Sequence, residues 1–219
     1  MPPEELRELL PHLEPVSLEL RHTIQAPHTP VDFVYFVTAG FLSVVAPLAD
    51  GATVEIAMIG NEGVSGINLV LGAASTPYET MVQAAGSALR INAGTLVQEA
   101  SRSESLRNVL LRFAQALILH TAQTAACNAR HKLEERLARW LLLARDRLES
   151  DEMPLTHEFL SIMLGTRRQG VTVAAGTLHQ AGIIRYRHGL ITLLDREALE
   201  QASCECYRIV KDEADRLLS

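Results

Sequence analysis

Hydrophobic and polar positions change period along this chain. From about residue 16 to residue 93 they fall in short runs typical of strands. Residues 33–37, 41–45 and 53–59 read as strands, with Thr38-Ala39-Gly40 as a turn, Asp50-Gly51 as a hairpin turn and Gly60-Asn61-Glu62-Gly63 as another turn. Short strands with regular turns predict a small antiparallel barrel or roll. From Glu104 the period becomes helical. Leu106, Leu110, Phe113, Leu117, His120, Thr124, Cys127 and His131 alternate spacings of four and three, an a/d seam over more than three heptads. Such a seam can be covered by the same helix of a second copy or by the chain's own β-roll. The helix is longer than one small barrel covers, which favours a homodimer with Leu106, Leu110, Phe113, Leu117, His120 and Thr124 at its interface. A second helix near residues 131–149 offers Leu133, Leu137, Trp140, Leu141 and Leu148 for burial.

The most informative pattern runs from Leu155 to Leu194. Thr156 is a plausible N-cap, and Phe159, Leu160, Met163 and Leu164 share one helical face. Gly165 follows where a left-handed backbone suits glycine, and Thr166 can cap a second helix that turns Val171, Ala174, Ala175 and Leu178 inward. Gly182 ends that helix. Two short alternating strands then flank Arg187-His188-Gly189. Helix, tight turn, helix and β-hairpin make a winged helix-turn-helix, whose second helix enters the major groove of double-stranded DNA. Its first turn carries Arg167, Arg168 and Gln169, with Thr172 one turn on. Arginine can bond guanine bidentately and glutamine adenine. Asp195 can cap a last helix over residues 196–218.

Charge supports a local nucleic-acid surface. Residues 1–103 carry 4 basic and 11 acidic groups, residues 104–150 carry 8 and 5, and residues 151–219 carry 8 and 10. The acidic front half excludes a nucleic-acid surface there, whereas residues 153–194 hold four arginines against one acid, Glu158. No apolar run reaches the ~18–20 residues of a membrane span, and the acidic N-terminus lacks a signal peptide's basic region, so a cytoplasmic protein without a membrane partner is expected. Cys127, Cys204 and Cys206 give no disulfide framework. Cys204-Glu205-Cys206 lacks zinc-site spacing, and residues two apart on a helix face different ways, so the pair reads as inert and no metal is expected.

The fold class is therefore α+β: an N-terminal antiparallel β-roll over residues 1–103, a dimerisation helix and hinge over 104–150, and a C-terminal winged helix-turn-helix over 151–219, with the boundary at Ser150-Asp151-Glu152-Met153-Pro154. This order resembles the cAMP receptor protein and FNR family of bacterial transcription regulators across nearly the whole chain. The resemblance rests on residues 32–40, on Asn61-Glu62-Gly63-Val64-Ser65-Gly66, on Leu155-Thr156 through Arg168, and on Gly182-Ile183-Ile184 before the wing. It implies that Arg168 and Gln169 occupy base-reading positions. The third falls on Val173, which cannot donate a hydrogen bond, so the operator half-site differs from that of the cAMP receptor protein. As a regulator the chain is expected to place Arg167, Thr172, Arg185 and Arg187 on phosphate, with Thr172 also within reach of a base.

In cyclic-nucleotide binders of that family a Gly-Glu pair takes the ribose and an Arg-Ser pair the phosphate. Here those places read Gly66-Ile67 and Glu79-Thr80. The ribose acid is missing and a carboxylate stands where phosphate needs a cation, which argues against cAMP. A pocket of Gly66, Ile67, Glu79, Thr80 and Thr121 is left for an unidentified effector, and no cofactor is expected. An oxygen-sensing iron–sulfur cluster fails for want of any cysteine before Cys127. A haem could use His120 or His28, although a lone histidine is ordinarily a hydrogen-bonded structural residue.

The reading is a homodimeric, sequence-specific DNA-binding transcription regulator rather than an enzyme. RNA polymerase is a further partner if the regulator activates. A cupin-type enzyme needs clustered His and Glu on neighbouring strands, and residues 30–100 contain no histidine. The remaining alternative is a ligand-binding or protein-interaction module that has lost DNA binding.

Overall fold

The computed structural model describes residues 1–219. After a short helix α1 (Pro3–Leu9), strands β1 (Glu14–Leu18), β2 (Thr23–Gln25), β3 (Phe33–Pro47), β4 (Thr53–Ile59) and β5 (Glu79–Asn92) form one antiparallel sheet in the order β1-β5-β3-β4, with β2 also on β5. Thr38-Ala39-Gly40 is not a turn. β3 runs through it, because β5 is almost as long and pairs with it from Phe33↔Asn92 to Val45↔Glu79. The three residues instead bend the strand, and the register shifts between Val37 and Leu42. Gly40 sits at φ +75°, and a Cβ on Gly86 opposite would lie 2.0 Å from the Ala39 carbonyl oxygen. Two glycines thus let the strands cross closely enough to roll.

Helix α2 (Ala93–Arg102) leads into α3 (Glu104–Arg130), which Ser103 caps by accepting from the Leu106 N–H at 3.0 Å. The 4-3 stripe on α3 is internal, which corrects its assignment to a dimer interface. Leu106, Leu110 and Phe113 are buried with Val34, Leu42, Ile59 and Ile91 of the β-roll, and Leu117 packs against the same cluster. His120 is buried, and the Thr124 hydroxyl accepts from Arg139 Nη2 at 2.8 Å. An a/d spacing marks a face that needs cover, and here the chain covers it itself. A second stripe with the same spacing, Leu111, Gln115, Ile118, Ala122, Ala125 and Ala129, faces solvent; Leu111 is 39% and Ile118 56% exposed.

Helix α4 (Leu133–Leu148) starts two residues after α3 ends. Strand β6 (Glu152–Met153), α5 (His157–Met163), α6 (Arg168–Gln180), β7 (Ile184–Arg187), β8 (Leu190–Leu193), α7 (Arg196–Ala202) and α8 (Cys206–Leu218) follow. Residues 152–153, expected as linker, are the third strand of the wing, in the order β6-β8-β7. Leu137, Ala138 and residues 140–144 of α4 lie in one core with Leu160, Val171, Leu178, Ile184 and Ile191. The packing thus groups α4 with the helix-turn-helix, and only His131 and Lys132 separate it from α3. The single helix expected after Asp195 is broken at residues 203–205 into α7 and α8, and α8 turns back along α3.

That C-terminal core also includes Phe41, Val45 and Met58 of the β-roll. At this junction Trp140 Nε1 of α4 donates to Glu55 Oε1 of β4 at 2.7 Å, and Ser43 of β3 bonds the other carboxyl oxygen. Phe41 meets the Trp140 ring edge-on at 6.4 Å. Burial raises the Glu55 carboxyl to about 7, against the opposing pull of the Ser43 and Trp140 bonds and of Arg147 and Arg139. Between pH 4.5 and about 7 the unfolded chain ionises at this position while the folded chain keeps the proton, so stability falls as pH rises through that window and levels above it. The window corresponds to roughly 3 kcal/mol at 1.36 kcal/mol per unit. Glu55→Gln keeps a Trp140 acceptor and removes the titration. Denaturant melts from pH 4 to 8 should show the wild type losing stability relative to Glu55→Gln as pH rises; parallel curves would refute a buried, protonated Glu55.

Candidate nucleic-acid interface

Helix α5 begins at Thr156, whose hydroxyl accepts from the Phe159 N–H at 3.1 Å. Gly165 follows it at φ +58°. Thr166 does not cap α6. Arg167 is the N-cap, in extended conformation and without a side-chain cap bond, because the turn after Gly165 takes one residue more than the sequence suggests. Val171, Ala174, Ala175 and Leu178 are buried as the periodicity requires. This leaves Arg167, Arg168, Gln169, Thr172 and Val173 outward, with Val173 65% exposed. The wing turn has His188 at φ +51° and Gly189 at φ +80°, the pair of left-handed residues that a tight hairpin uses. Arg185 and Arg187 on β7 are exposed.

The structure adds residues that carry no sequence signal. His157 stacks on Tyr186 with ring centroids 3.9 Å apart and so ties α5 to the wing. Its Nδ1 lies 3.0 Å from the Thr172 hydroxyl, which itself donates to the Arg168 carbonyl at 3.0 Å. Desolvation first, and then the Arg168 charge, hold the His157 pKa below its ordinary value. A neutral Nδ1–H can therefore donate to Thr172 and fix the first turn of α6. Arg168 Nε stands 4.0 Å from Glu158 on α5, an exposed and weak ion pair that leaves the guanidinium available.

The same turn also faces the β-roll. A cleft of about 810 Å³ lies between the 48–54 hairpin and the α5–α6 turn, with Arg167 and Gln169 among its walls. The Arg136 guanidinium bonds the Leu164 carbonyl at the end of α5. In this arrangement the hairpin stands beside the first turn of α6.

The residues expected around an effector are placed as follows. Gly66 has φ +67° and precedes a 3₁₀ turn, Ile67–Leu69, whose Ile67 packs on the β-roll core. Glu79 accepts from the Thr23 hydroxyl at 2.8 Å, Thr80 is buried in β5, and the Thr121 hydroxyl bonds the Leu117 carbonyl of its own helix at 2.9 Å. The principal cavities are lined by other residues. His120 is buried and held well below its ordinary pKa by desolvation and then by Arg147 and Arg139, so it is a neutral packing residue.

Cys204 and Cys206 do not diverge as residues of one helix would. Cys204 lies in the break before α8, and both thiols converge with Cys127 and His131 at the end of α3. Sequence spacing hid this because the group is assembled from segments some 70 residues apart.

Residues 135–202 match the family model of the Crp-like helix-turn-helix domain. No curated protein matches the chain. Among solved structures it is similar to FixK2 from Bradyrhizobium japonicum, with TM-score 0.75 and 21% identity over 88% of this chain and 98% of that one. A putative transcriptional regulator of the Crp/Fnr family from Eubacterium rectale gives 0.73 and 15% over 92% and 94%. The c-di-GMP-responsive global regulator CLP of Xanthomonas campestris gives 0.67 and 16% over 87% and 98%. The chain thus carries a Crp-like helix-turn-helix domain over residues 135–202 and shares the fold of those solved structures.

Proposed function

We propose that this chain is a homodimeric transcription regulator that reads a palindromic operator, one half-site for each α6. The observation that carries the reading is the solvent-facing first turn of α6. Arg168 and Gln169 project from it, and Arg185 and Arg187 flank it on the wing. Arg168 would read guanine and Gln169 adenine, while Val173 offers only an apolar contact such as a thymine methyl. Arg167, Arg185 and Arg187 would bind phosphate and set register rather than sequence. No helix is long and apolar enough to cross a membrane, and residence with DNA fits the reduced cysteines.

The dimer reading rests on the outward stripe of α3, since the inward stripe is already covered. Leu111 and Ile118 supply its apolar contacts, and Ala122, Ala125 and Ala129 allow two helices to approach closely. A two-fold axis along this stripe presents two recognition helices together.

Two measurements test these assignments. A palindrome selected from random DNA by the purified chain should bind Arg168→Ala more weakly by about 1–3 kcal/mol per half-site, with relaxed base preference. Arg187→Ala should weaken all sequences alike and reduce the salt slope by about one. Equal losses on operator and random DNA for Arg168→Ala would sink its base-reading role. In sedimentation, Ile118→Arg should shift the chain to monomer without lowering its melting temperature, whereas Leu110→Ala should cost about 2–5 kcal/mol of stability and leave association intact. A persistent Ile118→Arg dimer would reject the outward stripe as the interface.

A further inference from the structure

Where α3 ends, three cysteines and a histidine from two distant stretches of chain meet. Cys127 lies in the last turn of α3, and His131 is the extended residue that ends it, its N–H donating to the Cys127 carbonyl at 3.0 Å. Cys204 and Cys206 come from the α7–α8 break. One ligand atom from each lies within 4.8 Å of every other. Cys127 Sγ is 3.5 Å from Cys204 Sγ, and Cys206 Sγ is 3.5 Å from His131 Nδ1. Usual Zn–S and Zn–N lengths give a tetrahedron with S···S edges of about 3.8 Å and S···N edges of about 3.6 Å. The three thiols are buried together in their own cluster, and none is in a disulfide.

The groups around them are those a metal site uses to orient its ligands. His131 turns Nδ1 to the thiols while its Nε2 lies 3.3 Å from a Glu205 carboxylate oxygen. A carboxylate on the far ring nitrogen keeps the proton there and frees the Nδ1 lone pair. Gln123 Nε2 donates to Cys206 Sγ at 3.0 Å. Arg136 and Arg139 lie within electrostatic reach of Cys127. Each has a buried Nε without a partner, and neither pairs with a carboxylate. Three thiolates on a divalent cation carry a net charge of −1, which those guanidiniums would balance.

We infer that Cys127, His131, Cys204 and Cys206 form a tetrahedral site for one thiophilic divalent cation of the Zn²⁺ class. Binding is not a redox step. The three thiols release their protons to solvent, the thiolates and neutral His131 donate electron pairs, and the ion sheds its water. The site joins the end of α3 to the α7–α8 junction of the DNA-binding domain, across the hinge at His131-Lys132. An ion there fixes how that domain sits on α3. Resting on the regulator reading, this makes the hinge a place where metal sets DNA affinity.

The full-length chain, reduced and stripped by a chelator, is titrated with Co²⁺ and then Zn²⁺. The expected result is one Co²⁺ per chain with thiolate-to-cobalt charge transfer and the intense visible bands of a tetrahedral site, displaced by Zn²⁺. Cys206→Ser should lose charge-transfer intensity. Glu205→Gln should keep the spectrum and stoichiometry but bind about tenfold more weakly. A pale octahedral spectrum on wild-type protein with three titratable thiols overturns the site whether or not the variants fold. So does a Cys127–Cys204 disulfide whose reduction confers no metal uptake. DNA binding is measured separately, by anisotropy on the selected operator. Zn²⁺-loaded and stripped protein should differ at least severalfold. Equal affinities overturn the coupling, and binding by neither form overturns the regulator reading while the cobalt spectrum still decides the site.

Discussion

The buried carboxyl of Glu55 is the constraint on which the relation of the two halves depends. It lies on a β-roll strand and is bonded by Ser43 of its own sheet and by Trp140 of α4. A buried polar group must find partners or cost several kcal/mol, so this bond holds α4 in one place. Around it Phe41, Val45 and Met58 share a core with α4, α5 and α6. The β-roll is therefore packed into the helix-turn-helix, and the 48–54 hairpin comes to stand beside the first turn of α6.

Helix α3 divides its circumference among several neighbours. One stripe fills the β-roll, a second side carries α8 and the thiol cluster, and a third remains uncovered. The helix thus touches both the β-roll and the C-terminal helices. Just past its end lie His131 and Lys132, and the Cys/His group there joins α3 to the α7–α8 break. Arg139 adds a further tie across these two residues by bonding Thr124 from α4.

Much of the architecture was legible before any coordinates. The helix-turn-helix could be read because each part has a local cause: Thr156 as a cap, Gly165 at a left-handed position, the inward period of Val171, Ala174, Ala175 and Leu178, and His188-Gly189 in the wing turn. The outward first turn of α6 follows once its inward face is known. Errors came where a local signal had two solutions. Thr38-Ala39-Gly40 suits a turn or a bend, and only pairing with β5 chose the bend. The α3 stripe needed cover, but a period cannot say whether that cover is a second chain or the same one. Residues 152–153 are too short to announce a strand, and the β8 edge recruited them.

The sequence by itself determined most element types, their order and the side chains that α6 turns to solvent, because periodicity, capping and turn chemistry act within a few residues. Tertiary structure decided which stripe of α3 is buried, that α4 packs with the helix-turn-helix, and that Glu55 is buried between the β-roll and α4 with its carboxyl raised to about 7. It also decided that four ligand-bearing residues meet. Cys127 and His131 are neighbours at the end of α3, but Cys204 and Cys206 reach them only because the helix after Asp195 breaks into α7 and α8 and α8 folds back. Proximity across about 75 residues is a property of packing, which no spacing rule along the chain contains.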